Sequence, residues 1–207
     1  MPTRVRCTSQ DRLLVLTLEN DDELPRIQRQ ILAEIGRCVE QLGASGEFDG
    51  CIFTGTERAF AVGADIAELA RLMPAEAYEF SREGQRVMRL VEQSRVPIVA
   101  AIRGYCMGGG LDLALACHAR IATRDAIFAH PGGALGILTG WGGTQRLSRL
   151  IGRSRALEMF VTGVRLTAEA ALELGLISHI CRPDELAMAV PEMLSRVRNE
   201  RRRICGS

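Results

Sequence analysis

The chain has 207 residues, 26 basic against 25 acidic side chains, a formal net charge of +1 and 47% apolar residues. That balance argues against a nucleic-acid surface, which shows as a basic excess, and against disorder as the main state. Every basic residue is an arginine. Without lysine there is no Schiff-base chemistry and no P-loop, so anions must be met by Arg forks, helix N-termini and backbone N–H groups.

Seven cysteines, Cys7, Cys38, Cys51, Cys106, Cys117, Cys181 and Cys205, include no C-x-x-C pair. Neither a disulfide framework nor a zinc knuckle is indicated. His118, His130 and His179 show no metal-ligand spacing, and no metal is expected. The first ten residues are polar and lack the apolar stretch of a secretory signal, and no apolar run approaches the ~20 residues that span a bilayer. A reducing cytoplasm and no membrane contact are the expectation.

In chain order, Leu13–Leu18 reads as a buried strand. Leu24, Ile27, Ile31, Ile35, Val39 and Leu42 recur at helical spacing, with Gly43 as a stop. Cys51–Thr54 reads as a short strand after an Asp-Gly turn, and Asp65–Leu72 and Ala75–Ser94 as helices. A strand at Ile98–Ile102 follows Pro97. A glycine-rich bend, Gly104–Gly110, opens a short apolar helix, Leu111–Cys117. Arg120–Thr123 and a fragment near Phe128 read as strands. Pro131–Gly143 is a long stretch containing six glycines. Helices follow at Thr144–Leu150, Arg155–Val161 and Thr167–Leu174, then a strand at Ile177–Cys181. A helix over Pro183–Arg203 should kink or restart at Pro191. Its basic end (Arg196, Arg198, Arg201, Arg202, Arg203) reads as a solvated, fraying terminus. Strands alternating with helices indicate an α/β fold with largely parallel pairing.

Three glycine-rich turns follow apolar strands: Gly55–Ala64, Gly104–Gly110 and Pro131–Gly143. Glycine there permits positive φ and lets a ligand approach backbone N–H groups. Two such turns facing each other could aim two amides at one oxygen, an oxyanion hole made of main chain alone. The spacing of Gly104, Gly108 and Gly109 does not fit a dinucleotide fingerprint, and no G-x-S-x-G occurs.

R-A-F-A-V-G-A-D-I-A-E (58–68) and G-Y-C-M-G-G-G-L-D-L-A-L (104–115) resemble the two signatures of the enoyl-CoA hydratase/isomerase (crotonase) superfamily. G-W-G-G-T-Q-R-L (140–147), A-L-E-M-F-V-T-G (156–163) and T-A-E-A-A-L-E-L-G-L-I-S-H-I (167–180) continue the likeness. The resemblance implies one crotonase-like domain over 1–207. Its repeated ββα spiral core would span about 1–180 with flanking helices, and its C-terminal helical part, 183–203, would be shortened. It also implies a homo-oligomer, a trimer or dimer of trimers. The substrate would be an acyl-CoA thioester with no separate cofactor, its carbonyl held by the N–H groups of Ala64 and Gly109. Asp112 matches the first of two catalytic acids. Ala61, Val62, Asp65, Ile66, Gly108, Gly132 and Trp141 match substrate-binding positions.

Two departures stand out. Asp112 is one methylene shorter than the family's glutamate. The second glutamate's place, in F-A-H-P-G (128–132), holds Gly132, and no Asp or Glu occurs between Ala126 and Gly143. The space left at Gly132 is expected to be filled by water, an anion or a distant side chain. His130 is the nearest titratable residue, with packing or turn capping as its other reading. Cys106 reads as a buried filler, Trp141 as either pocket wall or packing, and Arg58 as solvated or a contact for CoA phosphates. Enolate chemistry by a hydratase or isomerase is the leading expectation. A non-catalytic acyl-CoA-binding or assembly subunit, or a thioester hydrolase or decarboxylase, is the alternative.

Overall fold

The computed structural model describes residues 2–205, the side chains of residues 202, 204 and 205 excepted. Strands β1 (Arg4–Gln10) and β2 (Leu13–Glu19) form an antiparallel hairpin. Helix α1 (Arg29–Ser45) leads to β3 (Gly50–Thr54) and β4 (Ala59–Ala61). Helices α2 (Ile66–Leu69) and α3 (Pro74–Gln93) lead to β5 (Ile98–Ile102) and β6 (Tyr105–Met107). Helix α4 (Gly109–Ala116) leads to β7 (Ala119–Thr123) and β8 (Ile127–Ala129). A 3-10 turn (Pro131–Leu135), α5 (Gly143–Ile151), α6 (Arg153–Thr162), β9 (Leu166–Thr167), α7 (Ala168–Glu173), β10 (His179–Cys181) and α8 (Leu186–Cys205) complete the chain.

The paired strands of each repeat go to different sheets. β3, β5 and β7 join a six-stranded sheet ordered β1-β2-β3-β5-β7-β10, while β4, β6 and β8 join a four-stranded sheet ordered β4-β6-β8-β9. Apart from the β1–β2 and β8–β9 pairs, all neighbours run parallel. This is the expected α/β spiral of ββα repeats. β5 shows why its sequence is uniformly apolar: Ile98, Ala100 and Ile102 point into the main core, while Val99 and Ala101 enter a second cluster with Met193 and Leu194 of α8. A strand covered on both faces has no polar side to show.

Several expectations are corrected. Leu24–Ile27 is not helical; the helix begins at Arg29. Pro25 disfavours helical backbone at Leu24, and the Ile27 amide donates to Gly63 O at 2.7 Å. Helix α1 also runs past Gly43 to Ser45, ending at Gly46 with φ 62°. The helix expected over Asp65–Leu72 shrinks to four residues, with Asp65 as its cap rather than its first residue. β1, β4, β6 and β9 were not expected. The first is a polar, largely exposed edge strand, and the others are only two or three residues long. Pro191 lies inside α8 without interrupting it. The basic end of that helix is partly docked: Arg201 donates to Ser94 O at 2.8 Å. Arg202's side chain lies outside the described residues.

Arg120, in β7, is a buried cation, and no carboxylate pairs with it among the described residues. It donates to Leu176 O at 2.7 Å, Cys117 O at 2.9 Å and Ala114 O at 3.2 Å. It thereby satisfies carbonyls at the end of α4 and ties α4 to the loop before β10. A lysine ammonium cannot reproduce this fork. Arg120→Lys is expected to lower unfolding free energy by about 2 kcal/mol, read from urea denaturation midpoints.

Candidate active site

β4 and β6 pair in parallel, Ala59 opposite Tyr105 and Ala61 opposite Cys106. The turns leaving them therefore emerge side by side. Each contains one glycine in the left-handed half of φ space, Gly63 at 110° and Gly108 at 51°, where a side chain would be strained. The backbones are in near contact: a Cβ on Gly63 would lie 3.5 Å from Gly109 N and 3.7 Å from Gly108 Cα. The neighbouring amides are taken, with Val62 N donating to Pro25 O at 2.9 Å and Gly108 N to Ala129 O at 3.0 Å. The amides that follow the two left-handed glycines, Ala64 N–H and Gly109 N–H, have no acceptor among the described residues. Gly109 is the first residue of α4, so its N–H sits at the positive end of that helix.

Both turns border a cavity of about 400 Å³. Val62, Ile66, Leu69, Phe80, Leu138 and Trp141 make it largely apolar, and His130, Gly132 and Thr139 also line it. Trp141 meets Phe80 edge to face at 5.3 Å and 88°. It is both wall and packing, since the same indole lies against Gly109.

Asp112, one turn into α4, is completely buried behind the Gly109 turn. The Thr139 hydroxyl donates a hydrogen bond to its Oδ2. Its Oδ1 has no hydrogen-bond partner and lies 3.6 Å from His130 Nε2, which also has none. Burial pushes the Asp112 carboxyl up to about 7, opposed by the Thr139 hydroxyl, Arg146 and the Trp141 amide. Burial pushes His130 down to about 4. The room for this carboxyl comes from Gly143, where any Cβ would run into Oδ1. Arg146 of α5 donates to Trp141 O at 3.1 Å and to Glu92 of α3 at 2.7 Å, bracing the wall around the acid.

The family described as Enoyl-CoA hydratase/isomerase matches residues 8–205. The chain belongs to the enoyl-CoA hydratase/isomerase family. It is 35% identical to a crotonyl-CoA hydratase of Syntrophomonas wolfei over 189 residues, which is 91% of this chain and 73% of the relative. It is 33% identical to a short-chain-enoyl-CoA hydratase of Clostridium acetobutylicum over 187 residues, covering 90% and 72%. Among solved structures, DspI of Pseudomonas aeruginosa superposes with a TM-score of 0.87 at 31% identity, covering 93% of this chain and 74% of that one. An enoyl-CoA hydratase from Bacillus anthracis superposes with a TM-score of 0.86 at 31% identity, covering 95% and 76%.

Of the positions singled out by resemblance to this family, Ala64, Gly109, Val62, Ile66, Gly108, Gly132 and Trp141 border the cavity. Ala61 does not: it is a fully buried residue of β4. Nor does Asp65, whose Oδ1 accepts from Ala67 N at 2.9 Å and Glu68 N at 3.2 Å while its Oδ2 accepts from Gln28. Both shape the turn from behind. Asp112 is likewise set back from the cavity wall, with Thr139 and His130 between. Arg58 donates to Asp22 O. The Cys106 thiol is buried and pushed well up by desolvation, the state of a filler rather than a nucleophile. Thr139 was not foreseen; a lone threonine inside a glycine-rich stretch carries no spacing signal.

The paired shifts have opposite linkage signs. Asp112, raised from 3.8 to about 7, favours the folded state at low pH, and that gain is lost as pH rises through about 7. His130, lowered from 6.5 to about 4, favours the folded state at higher pH, and that gain is lost as pH falls through about 4. Between these limits the two offset each other. Asp112→Asn is therefore expected to make stability climb more steeply with pH than in the wild type, by up to about 1.4 kcal/mol per pH unit. His130→Gln is expected to tilt it the opposite way. Denaturant midpoints across about pH 4.5 to 6 read both slopes.

Proposed function

We propose that the chain is an acyl-CoA enzyme of the hydratase/isomerase type that works through a thioester enolate. The observation carrying this reading is the pair of unpartnered amides, Ala64 N–H and Gly109 N–H, on two touching turns over one apolar cavity. The thioester oxygen would accept from both. As an α-proton leaves, negative charge moves from carbon to that oxygen, where fixed dipoles in an apolar site stabilise it most. A carboxyl near 7 is matched to proton transfer at neutral pH.

Double-bond isomerisation fits the residues best. It moves one proton from the α-carbon to the γ-carbon and needs a single returning acid–base system. Hydration is the second reading, favoured by relatives named as crotonyl-CoA and short-chain-enoyl-CoA hydratases. It adds water's oxygen at the β-carbon and a proton at the α-carbon, which two-acid enzymes divide between two groups. Here Gly132 supplies no second carboxylate. The CoA thioester is the substrate, and no further cofactor is part of this reading.

Ala64→Pro removes one donor, while Ala64→Ser keeps it. The proline variant is expected to lose about 100-fold in kcat/KM for 3-enoyl-CoA isomerisation and to keep its affinity for CoA. The serine variant should stay close to wild type. Equal activity in both would remove Ala64 from the oxyanion hole. Saturable CoA binding with no turnover of 3-enoyl-CoA or crotonyl-CoA would favour a non-catalytic binding or assembly subunit.

The same reading includes a cytoplasmic homo-oligomer, a trimer or dimer of trimers. Exposed apolar side chains on α6, Leu157 at 58% and Val161 at 67%, support an assembly face. Light scattering is expected to give a mass that is a multiple of three chains; a monomer at micromolar concentration would reject it.

A further inference from the structure

Position 132 is closed to an acid by its own loop. Ile137 N donates back to Gly132 O at 2.9 Å, and a Cβ at Gly132 would run into Ile137 O. The nearest titratable side chain that reaches the cavity is His130, two residues earlier. Its ring is held against Phe160, centroids 4.9 Å apart. It is only 4% exposed, yet its buried Nε2 has no hydrogen-bond partner and faces the one Asp112 oxygen that also lacks a partner, at 3.6 Å. Two buried polar atoms that face each other without hydrogen-bond partners each carry a desolvation cost. A proton shared between them removes that cost.

Resting on the enolate reading above, we propose that His130 is the second proton-transfer group of this site, linking the substrate carbon to Asp112. The step balances without a co-reactant. With Asp112 ionised and the ring proton on Nε2, Nδ1 takes the α-proton, and the C–H electron pair passes to the thioester oxygen held by the two amides. As Nδ1–H forms, Nε2–H gives its proton to Asp112 Oδ1. The reverse sequence delivers a proton to the γ-carbon and restores both groups.

The surroundings favour this relay over either group alone. Burial drives the imidazole toward its neutral form. A lone His130 would have to hold a buried positive charge after accepting a proton; passing one on to Asp112 leaves the ring neutral. The other titratable or charged groups facing the pair are Arg146 of α5, already engaged with Glu92 of α3, and the buried Cys106 thiol of β6. Thr139 holds Oδ2, leaving Oδ1 for the imidazole. The one-methylene shortening at Asp112 then has a physical sense: the carboxyl is set back from the cavity by about one intervening ring.

His130→Gln keeps a polar side chain of similar reach but cannot titrate. Deuterium exchange at the α-carbon of butyryl-CoA in D2O, together with 3-enoyl-CoA isomerisation, is the assay. The variant is expected to lose about 100-fold in kcat and in exchange rate, with KM for the CoA thioester within about threefold and thermal melting little changed. Exchange in the variant within threefold of wild type would overturn the proposal while leaving the enolate reading standing. No exchange in a wild type that binds CoA would overturn the enolate reading and the relay with it. An independent readout is the ring nitrogen NMR of His130. The pair predicts that Asp112→Asn changes its tautomer balance, and ring shifts indifferent to that substitution would show that the two groups share no proton.

Discussion

The site depends on one local constraint: two main-chain turns that need left-handed backbone, brought into contact by two short parallel strands. β4 and β6 are three residues each and hold their turns in register. Gly63 and Gly108 take left-handed backbone where the turns leave their strands and border the cavity. A side chain at either glycine would strain the turn, and at Gly63 it would also press on the Gly108–Gly109 backbone. The donors proposed for the thioester oxygen are main-chain atoms, so their identity is fixed by conformation rather than by residue type. This suits a chain without lysine and with three histidines.

Behind the turns, burial shifts two side chains toward their neutral forms. A carboxyl that is ordinarily ionised is moved toward neutrality, and an imidazole is moved away from its cation. Neither group holds charge comfortably alone, so a relay that leaves the ring neutral avoids a buried imidazolium. The surrounding scaffold makes the arrangement affordable: Gly143 leaves the space, Thr139 occupies one oxygen, and Arg146 with Glu92 braces the loop that carries Trp141.

Much of this was legible from residues alone. The glycine turns, the apolar strands before them and Asp112 in the first turn of a helix all follow from spacing and conformational cost. The misreadings have particular causes. Leu24–Ile27 has helical periodicity, but the Ile27 amide is claimed by Gly63 O, a contact between segments far apart in sequence. Asp65 and Ala61 sit in the signature but face the scaffold, one as a helix cap and the other as strand core. β4 and β6 are too short to show periodicity, although they set the geometry of the whole site. Thr139 and the facing of His130 toward Asp112 had no local signal.

By itself the sequence determined the α/β alternation, the absence of lysine and the absence of any carboxylate between Ala126 and Gly143, because each follows from period or residue type, while the family was legible only through the resemblance of its signature stretches. Only the tertiary structure decided that two amides are left unpaired side by side, that Asp112 is set back from the cavity, and that His130 stands in front of it. Those outcomes depend on which groups long-range packing strips of water and of partners, a property of neighbours in space rather than neighbours along the chain.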